Sequence, residues 1–483
     1  MEYGSEFDLV VIGSGIAGLS AAVTALQRGL SVVVLERSTK EDFGGNTRWT
    51  EAYMRMKNDS EIADDFEEHF AENAGWNLDP NILKAFNSSH KEWPDYVKSH
   101  ALPDPELIST FAEKVPPTIE WLKSFGLKFG PQPIYLLTQN TTRIAAQGGG
   151  LELIERLAEE ADKLGATRMY RTTAIDLLQT IEGSIKGVVV RDPEGCQKNL
   201  MAKNVVVASG GFQGNSEMMT RYLGNRAKHL RPVARGGYYN RGEGIKMALD
   251  IGAAPAGEYG SYHAEPVDPR SQQAEAVIFI YPYGILVNKH AQRFIDEAPG
   301  TVDAHYDNIG RSIGEQPDGI SWVIFDAQVE DVPRWKTSIR SDIPPYEADS
   351  IEALASEIGL SPQQLKNTIT TFNTACPNAS GDFTPFEVDH NATTDIQPCK
   401  SNWARPIVRP PFKAYPIISS VCFTFGGLKV NTKAQVLDND GKVISGLYAA
   451  GETVGIYHGV YTGSTSVLRG AVFGHLAGEY AEK

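Results

Sequence analysis

The sequence predicts an α/β protein organised around a parallel β-sheet, and three stretches carry this prediction. Residues 7–12 form an apolar run that stops at Gly-Ser-Gly-Ile-Ala-Gly and continues as small and apolar residues, which is typical of a buried strand, a tight turn and a helix. Residues 32–35 form a second apolar run, which ends at Glu36. Residues 204–212 form a third, which ends in small residues. Together they predict a Rossmann-like domain.

The Gly-x-Gly-x-x-Gly motif at residues 13–18 predicts a cradle for a dinucleotide. Gly13 permits the sharp turn, Gly15 lets the backbone approach a pyrophosphate, and Gly18 lets the helix lie close to the strand. The phosphates would then rest on the positive end of the helix dipole. Glu36 follows at the spacing where a carboxylate can accept hydrogen bonds from ribose hydroxyls. These residues alone leave both NAD and FAD open.

Two further glycine-rich segments are candidate cofactor contacts. Residues 42–48 could run along a cofactor with their backbone amides. Residues 148–150 lead into a helical pattern, so that an anion or ring contact is as plausible there as a plain loop. Residues 59–120 are polar, with apolar residues three to four apart, and indicate helical scaffold.

The length, charge and cysteine content of the chain limit the classes of function that are open to it. The chain has 483 residues, of which 41% are hydrophobic and 22% charged, so two or three domain-sized units are expected. The formal net charge of -15 makes nucleic acid and anionic membranes poor partners. Because no stretch reaches roughly 18–20 consecutive apolar residues and no basic leader is present, we expect a cytoplasmic protein without membrane insertion. The four cysteines lack CxxC spacing, which argues against a metal site.

The first domain is predicted to be discontinuous. Tyrosine, histidine and proline become frequent after residue 257. Residues 446–452 then form another strand, which ends in Ala-Gly-Glu and is followed by Gly/Ser turns and a small-residue helix, as a sheet needs to close the far side of a cofactor. We therefore expect a Rossmann-like domain over residues 1–257 and 421–483, with an inserted α+β capping domain over residues 258–420. The absence of a second glycine cradle disfavours a built-in NAD(P)H domain.

Six motifs now stand in order along the chain, at residues 13–18, 44–48, 208–212, 424–428, 446–452 and 470–474. In this order they resemble the FAD-dependent fumarate reductase and succinate dehydrogenase flavoprotein superfamily, and most closely its tricarballylate dehydrogenase group. The resemblance implies FAD, a mobile cap over the isoalloxazine and hydride transfer at a carbon–carbon bond. The histidine to which some relatives attach FAD is missing, which predicts dissociable FAD.

The resemblance also implies which residues contact FAD. The glycine motif would hold the pyrophosphate, Glu36 the adenosine ribose, and Glu452 the ribityl side. The complete expected set is Gly13, Gly15, Ile16, Ala17, Gly18, Glu36, Arg37, Gly44, Gly45, Asn46, Thr47, Gly148, Gly149, Ala174, Ser209, Gly210, Gly451, Glu452, Ser466 and Val467.

The departures from the family concern catalysis. In fumarate reductases an arginine delivers the proton shortly after the segment that matches residues 293–297, whereas Val302 stands nearest that place here. The family's histidine before the Thr-x-Gly-Gly motif is replaced by Phe423. The resemblance therefore does not imply a fumarate reductase. Relatives of the 3-ketosteroid dehydrogenase group carry a tyrosine that polarises the substrate carbonyl at the turn matching Tyr461.

Four residues are the catalytic candidates. Tyr461 and His458 lie in the turn nearest the expected flavin ring, where each either contacts the substrate or braces the flavin loop. His263 matches a substrate histidine of fumarate reductases, with a surface histidine as the alternative. Arg405, like Arg409, is flanked by prolines and could bind a carboxylate bidentately or form a structural ion pair.

Other polar residues of the cap are expected to be structural. We expect Arg293 and Arg311 to pair with Glu297 and Asp307. Tyr306 is expected in a wall or core, although a tyrosine base would suit ketosteroid-type chemistry.

The sequence therefore predicts an FAD-dependent dehydrogenase or reductase that acts on CH–CH groups. It would form or reduce a C=C bond next to the carboxylate or carbonyl of a small organic acid, and exchange electrons with a separate partner. One alternative is desaturation of a bulkier neutral ketone. The non-enzymatic alternative is a flavin-binding sensor or structural flavoprotein.

Overall fold

The computed structural model describes residues 6–74, 92–94, 97, 104–131, 143–377 and 383–483, and its first unit is the predicted strand, turn and helix. β1 (Glu6–Ile12) ends at the glycine motif, and α1 (Ile16–Gln27) begins inside it. β2 (Val32–Leu35) pairs with β1 in parallel register and is buried throughout. Because both strands are apolar on both faces, they fit the centre of a sheet covered on each side.

The first sheet has eight strands and a parallel centre. The other six are β6 (Thr167–Met169), β7 (Thr173–Gln179), β8 (Ile185–Arg191), β9 (Gln197–Val207), β18 (Gln435–Leu437) and β19 (Val443–Ala449). The strand order is β18-β19-β9-β1-β2-β6, and the β7–β8 hairpin joins β9 through β8. The pairing of β9 with β1 confirms that the third apolar run returns to the first sheet. β19 pairs in parallel with β9, so strands from both ends of the chain share this sheet.

Helices cover the sheet, and two of them approach each other through small residues. The helices after α1 are α2 (Phe66–Ala74), α3 (Pro105–Lys123), α4 (Gly149–Lys163), α5 (Ser216–Leu223), α6 (Glu243–Asp250), α7 (Val302–Gly314), α8 (Ile351–Glu357), α9 (Pro362–Ala375) and α10 (Ser466–Tyr480). A Cβ added to Gly474 of α10 would lie 2.2 Å from the carbonyl oxygen of Ala17, and one added to Gly478 would lie 2.4 Å from that of Ala21. The missing side chains therefore let the backbones of α1 and α10 come together.

A second sheet of six strands lies at the centre of the expected cap. Its strands are β10 (Arg231–Pro232), β12 (Tyr262–Val267), β13 (Ile285–Asn288), β14 (Ile320–Phe325), β15 (Tyr346–Ala348) and β16 (Phe412–Thr424). The long strand β16 pairs with β10, β12, β14 and β15. Two apolar cores whose buried members all fall within residues 267–417 pack on this sheet. The division into domains at residues 257 and 421 stays a prediction.

Two small sheets complete the described strands. They are formed by β3 (Tyr53–Arg55), β4 (Phe129–Gly130) and β5 (Arg143–Ala146), and by β11 (Pro255–Ala256) with β17 (Gly427–Leu428). The helical scaffold expected over residues 59–120 is confirmed at α2 and α3, while residues 75–91, 95, 96 and 98–103 of that prediction lie outside the described residues. No helix within the described ranges combines the length and the apolar character that a membrane crossing requires.

The contact between α1 and α10 yields a test of the fold. We expect Gly474→Val to lower the free energy of unfolding by about 1–3 kcal/mol or more, because the new side chain meets a backbone carbonyl that cannot move aside. Gly130→Ala is the control, since a Cβ there meets nothing within 4 Å, and it should change stability by less than about 0.5 kcal/mol. Thermal unfolding followed by circular dichroism measures both. Equal stabilities of the two variants would contradict the described packing.

Candidate active site

A large cleft lies at the carboxyl ends of β1, β2, β9 and β19, the edge at which parallel sheets bind ligands. The space between its walls, counted together with the open solvent at its mouth, is about 1700 Å³. The glycine motif lines one end, and residues of β12, α7 and β16 line the other. The cleft can therefore take a dinucleotide together with a second molecule.

The glycine motif forms the narrow end of the cleft. Gly13 has a φ of +108°, and a Cβ there would lie 2.4 Å from the carbonyl oxygen of Ala208. A Cβ on Gly18 would lie 1.9 Å from the carbonyl oxygen of Gly13, so this glycine has the packing role that the motif predicts. Gly15 lines the cleft, and no acidic residue occupies the first turn of α1. Such a bare, positively polarised backbone fits a pyrophosphate.

Glu36 and Arg37 follow β2 at the same end. The Glu36 carboxylate is buried and accepts hydrogen bonds from the backbone N–H of Ser38, at 2.7 Å, and from the Ser14 hydroxyl. It also lines the cleft, where its remaining lone pairs can accept ribose hydroxyls. Arg37 lines the cleft as well, but its guanidinium pairs with Glu243 at 2.9 Å.

The segment after β2 runs along the cleft. Gly45, Asn46 and Thr47 line it. Thr47 Oγ1 accepts the N–H of Ile16 at 3.3 Å, and Asn46 Nδ2 donates to the carbonyl oxygen of Cys422 at 2.6 Å. This segment therefore links the cradle to β16.

Four of the expected FAD contacts do not line the cleft; the other members of the set do. Besides Gly18, Gly44 is packed so closely that an added Cβ would lie 1.9 Å from Cδ1 of Ile154. Gly148 and Gly149 line a second, smaller pocket. This pocket shares Thr50 and Glu51 with the cleft.

A carboxylate network lies on the side where β19 ends. The Glu452 carboxylate accepts the N–H of Thr424 and the Nδ2 of Asn240, each at 2.9 Å, and the Nε2 of Gln213 at 3.3 Å. Burial raises the pKa of Glu452, against the opposing effect of these donors. Ser209 Oγ lines the cleft and is buried with no hydrogen-bond partner among the described residues. An unsatisfied hydroxyl beside a bare glycine cradle fits the polar chain of FAD.

Tyr461 lines the opposite end of the cleft, but its hydroxyl is committed to the backbone. It accepts the N–H groups of Thr465 and Ser466, each at 3.0 Å, and donates to the Ser466 hydroxyl at 3.0 Å. These contacts hold the turn at the start of α10. They support the bracing role, and direct substrate contact by the hydroxyl stays a prediction.

His263 forms a dyad with Tyr306. Its Nε2 and the Tyr306 hydroxyl lie 3.0 Å apart, and both side chains line the cleft. Burial, reinforced by Arg311 and Arg143, lowers the pKa of His263 to about 3, so the ring is neutral. Burial raises the pKa of Tyr306 well above its usual value, so the phenol keeps its proton. The alternative of a surface histidine at position 263 is wrong, because the side chain is buried.

Val302, nearest the place of the family's arginine, is buried in the cap core and does not line the cleft. It begins α7, and Tyr306 stands one turn later on the same helix. Phe423, in the place of the family's histidine, lies 5.1 Å from the His263 ring and 4.9 Å from the Tyr461 ring.

Sequence reasoning missed Arg143, which lies in β5 and lines the cleft. Among the described residues its guanidinium has no hydrogen-bond or ion-pair partner. Its positive charge lowers the pKa of His263, in the same direction as burial, and lowers the pKa of Tyr306, against the effect of burial. Arg143 therefore lies close to this dyad. The glycine-rich segment that follows it was the only sequence signal.

His458 and Arg405 are not among the residues that line the cleft. His458 is buried, which lowers its pKa to about 4. Arg405 pairs with Asp331 at 2.6 Å and lies over the Phe383 ring, in the cap. These contacts support a structural ion pair for Arg405. A catalytic role for Arg405 or His458 stays a prediction.

The ion pairs expected inside the cap are confirmed. Arg293 and Glu297 lie 2.6 Å apart, as do Arg311 and Asp307. These four groups are therefore occupied by structural contacts.

A group of carboxylates lines the cleft near the dyad. Glu275 and Glu51 both bind Arg340, at 3.2 Å and 2.6 Å. Glu265 follows His263 by two residues on β12, and burial raises its pKa to about 7. A His263 ring nitrogen, a Glu265 oxygen and Cys422 Sγ lie within 4.8 Å of one another, an arrangement open to a metal ion although the cysteine spacing predicted none.

Comparison with known proteins supports FAD as the cofactor of this chain. Residues 8–468 match the family described as "FAD binding domain" (FAD_binding_2). The NADH:acrylate oxidoreductase of Vibrio harveyi is 29% identical over 98% of this chain and 50% of that protein. The vinyl phenol reductase of Lactiplantibacillus plantarum is 27% identical over 92% of this chain and 89% of that protein. The chain thus spans half the length of the Vibrio relative.

Solved structures give the same fold. An open conformation of a flavocytochrome c3 fumarate reductase superposes with a TM-score of 0.74 at 23% identity, over 99% of this chain and 78% of that chain. The family match confirms FAD as the cofactor, and the oxidoreductase relatives leave the sensor alternative without support. The chain belongs to the FAD_binding_2 family and is an FAD-dependent oxidoreductase with the fold of the fumarate reductase flavoproteins.

Proposed function

We propose that this chain reduces or forms a C=C bond next to the carboxylate of a small, planar organic acid. The observation that carries the proposal is the unpaired guanidinium of Arg143 beside the Tyr306–His263 dyad. FAD, when bound, supplies or accepts the hydride, and the chain must hold the substrate and move a proton. The named relatives, an acrylate oxidoreductase and a vinyl phenol reductase, support a C=C bond as the reacting group.

In this proposal Arg143 holds the substrate. A guanidinium can bind a carboxylate through two parallel N–H···O bonds, which fixes both the position and the plane of the acid. The same positive charge draws electron density from the conjugated C=C bond and stabilises the enolate-like charge that develops on the carboxylate. Because no carboxylate of the described residues pairs with Arg143, it can do so without breaking an existing contact.

Tyr306 is the proton donor in this proposal. Its phenol stays protonated because burial raises its pKa, and proton donation belongs to the reductive direction. Arg143, whose charge opposes that shift, would stabilise the phenolate left behind. His263, held at 3.0 Å, orients the hydroxyl.

The cleft walls favour a flat substrate with one negative charge. Phe279, Phe423 and the Tyr461 ring supply apolar surface for a flat substrate. Arg469 also lines the cleft without an ion pair among the described residues, but it donates to the carbonyl oxygen of Val454 and lies over the Phe423 ring. We therefore assign the substrate to Arg143, and a single guanidinium suits one carboxylate better than three. The tricarballylate dehydrogenase group therefore stays a prediction from sequence, and this proposal favours a monocarboxylate.

A bulky neutral ketone is the second candidate. Phe423 favours it, because this apolar side chain lines the cleft at the place where the resemblance implies a histidine. Dependence on Arg143 distinguishes the two candidates.

The remaining sequence predictions are kept in the proposal. FAD is held without a covalent bond, a separate donor or acceptor exchanges electrons with it, and the protein acts in the cytoplasm. The segments 1–257 and 421–483 form the FAD-binding domain, and residues 258–420 form the cap.

The proposal of dissociable FAD predicts that Glu36→Ala weakens FAD binding about 10- to 100-fold, because hydrogen bonds to a charged acceptor are worth about 1.5–3 kcal/mol. Titration of the FAD-free protein with FAD, followed by flavin fluorescence, measures the dissociation constant. Glu41→Ala is the control, since Glu41 lies nearby but is exposed. FAD that remains with the denatured polypeptide would contradict dissociable binding.

The substrate proposal predicts that photoreduced enzyme is reoxidised without oxygen by unsaturated monocarboxylates and much less by their amides. Arg143→Ala should raise the apparent KM for the acid about 10- to 100-fold and remove the preference over the amide, with the FAD spectrum unchanged. Arg409→Ala, a half-exposed arginine of the cap, is the control. Equal reaction with neutral enones, insensitive to Arg143, would instead favour the ketone.

The role of Tyr306 predicts that Tyr306→Phe slows flavin reoxidation by substrate at least about 100-fold, because a positioned acid contributes roughly 10²–10⁴ to such a step. Substrate binding, read from the perturbation of the flavin spectrum, should change little. The matched control is Tyr461→Phe, which on the bracing role slows the reaction less than Tyr306→Phe does. The reverse order of the two variants would return Tyr461 to the mechanism.

A further inference from the structure

One segment of this acidic protein is strongly basic. Residues 221–246 contain seven lysines and arginines and a single acidic residue, Glu243, in a chain of net charge -15. Glu243 pairs with Arg37 at 2.9 Å, and Arg221 and Arg226 have ion-pair partners outside the segment. The other four cations of the segment have no ion pair among the described residues. The segment therefore carries a local excess of positive charge.

Three guanidiniums on two neighbouring parts of the chain contribute to this excess. Arg235 and Arg241 are exposed, and Arg48 of the segment after β2 is partly exposed. Arg235 lies over the Trp49 ring at 5.9 Å, which brings the two parts of the chain together. None of the three guanidiniums has an ion-pair partner within the described ranges. Their charge is therefore available to a molecule that approaches from solvent.

Tyr238 adds an exposed aromatic ring to these cations. Its side chain is 52% exposed, although the backbone around it is fixed at the start of α5. A Cβ on Gly214 would lie 2.5 Å from the carbonyl oxygen of Tyr238, and Asn215 Nδ2 donates to that of Arg241 at 2.9 Å. Tyrosine and arginine are enriched at protein–protein interfaces and dominate their binding energy. A fixed backbone lowers the entropy that such an interface loses on binding.

These four residues, Arg48, Arg235, Tyr238 and Arg241, are called the basic rim, and they lie on the outer side of the cofactor wall. Trp49 and Tyr239, each next in the chain to a member of the rim, line the cleft. A Cβ on Gly236 would lie 2.3 Å from the carbonyl oxygen of Gly45, which also lines the cleft. The same short stretches thus face the cofactor cleft on one side and solvent on the other. A molecule bound at the rim is separated from the cleft by little protein.

We propose, on the basis of the function proposed above, that the basic rim is the docking surface for an acidic electron-carrier protein, which exchanges electrons with FAD. Complementary charge steers such a carrier to its site and fixes its orientation. The negative charge of the rest of the chain repels an acidic carrier, so that the rim also selects where it docks. Tyr238 supplies the apolar contact at the centre of the charged residues.

The electrons and protons balance as follows. Reduction of one C=C bond takes two electrons and two protons. The carrier supplies both electrons and is itself oxidised, in one two-electron or two one-electron transfers. One proton enters from solvent with the electrons and reaches the substrate as part of the hydride, and Tyr306 donates the other and regains it from solvent. In the oxidative direction each transfer runs in reverse, and the carrier is reduced.

The first test measures docking without turnover. The probes are two acidic carriers in their oxidised form, a plant-type [2Fe–2S] ferredoxin and a flavodoxin, and calorimetric titration of the FAD-loaded protein gives the dissociation constant. Binding should weaken as salt is raised, because exposed charges are screened. The double variant Arg235→Glu/Arg241→Glu should bind at least about tenfold more weakly at low salt. The control is Arg409→Glu, the same charge change at a half-exposed arginine of the cap, which should bind as the wild type does.

If the wild type binds neither probe, or the double variant binds as well as the wild type, the docking proposal is wrong.

The second test separates docking from the proposed function. The rate at which reduced ferredoxin reduces the bound flavin, followed by anaerobic stopped-flow absorbance, should fall at least about tenfold in Arg235→Glu/Arg241→Glu at low salt. After photoreduction, which needs no carrier, the double variant should react with an unsaturated monocarboxylate at the wild-type rate.

If no C=C substrate reoxidises the photoreduced protein while carrier binding still depends on the rim, the proposed function fails and the docking surface stands. If substrates react but the double variant accepts electrons from ferredoxin at the wild-type rate, the docking surface fails alone. Rapid reduction of the flavin by NADH, with no effect of the double variant, would assign the electron supply to a small molecule and overturn the proposal.

Discussion

The reactive end of this cleft depends on one buried ion pair. The Asp307 carboxylate accepts the N–H of Ala264 and the guanidinium of Arg311, each at 2.6 Å, while Arg311 also donates to the carbonyl oxygen of Gly459 at 2.6 Å. These bonds join α7 to β12 and both to the turn before α10. Tyr306 precedes Asp307 by one residue, and His263 precedes the donor Ala264 by one residue, so these bonds hold Tyr306 and His263 at their 3.0 Å contact. Because removal of one partner from a buried pair typically costs about 3–5 kcal/mol, the geometry is held rigidly.

The two ends of the cleft differed in how far the sequence could predict them. At the cofactor end, Gly18 and Glu36 act through local backbone geometry and fixed spacing, which a single stretch of sequence contains. At the reactive end the partners come from distant elements: Arg143 from β5 and Tyr306 from α7. No spacing rule relates them, and Tyr306 looked like a wall residue until the His263 contact was known. The prolines near Arg405 suggested a fixed arginine that could bind a carboxylate, but Asp331, 74 residues earlier in the chain, binds its guanidinium.

Charge in the cleft is local, although the chain carries a net charge of -15. Arg340 is shared between Glu51 and Glu275, and Arg311 is occupied by Asp307. Arg143 is left without such a partner among the described residues, so its field is not cancelled at short range. A distant negative surface is screened by solvent over about 10 Å, whereas a guanidinium facing a partly enclosed cleft is screened much less. The net charge of the chain therefore does not exclude an anionic substrate beside Arg143.

The proposed function requires a different proton donor from the one that the resemblance implies, because Val302 and Phe423 stand nearest the places of the family's arginine and histidine. The resemblance implies that a fumarate reductase delivers the proton from an arginine, near the place where Val302 stands here. Here the proposed donor is a neutral phenol that rests against a neutral imidazole, and the group behind them is a carboxyl. After donation the site gains a negative charge, which Arg143 must stabilise while it also holds the acid. In the proposed function one guanidinium serves both purposes only if the substrate brings a single charge, so the neutral donor and the proposed preference for a monocarboxylate have the same electrostatic origin.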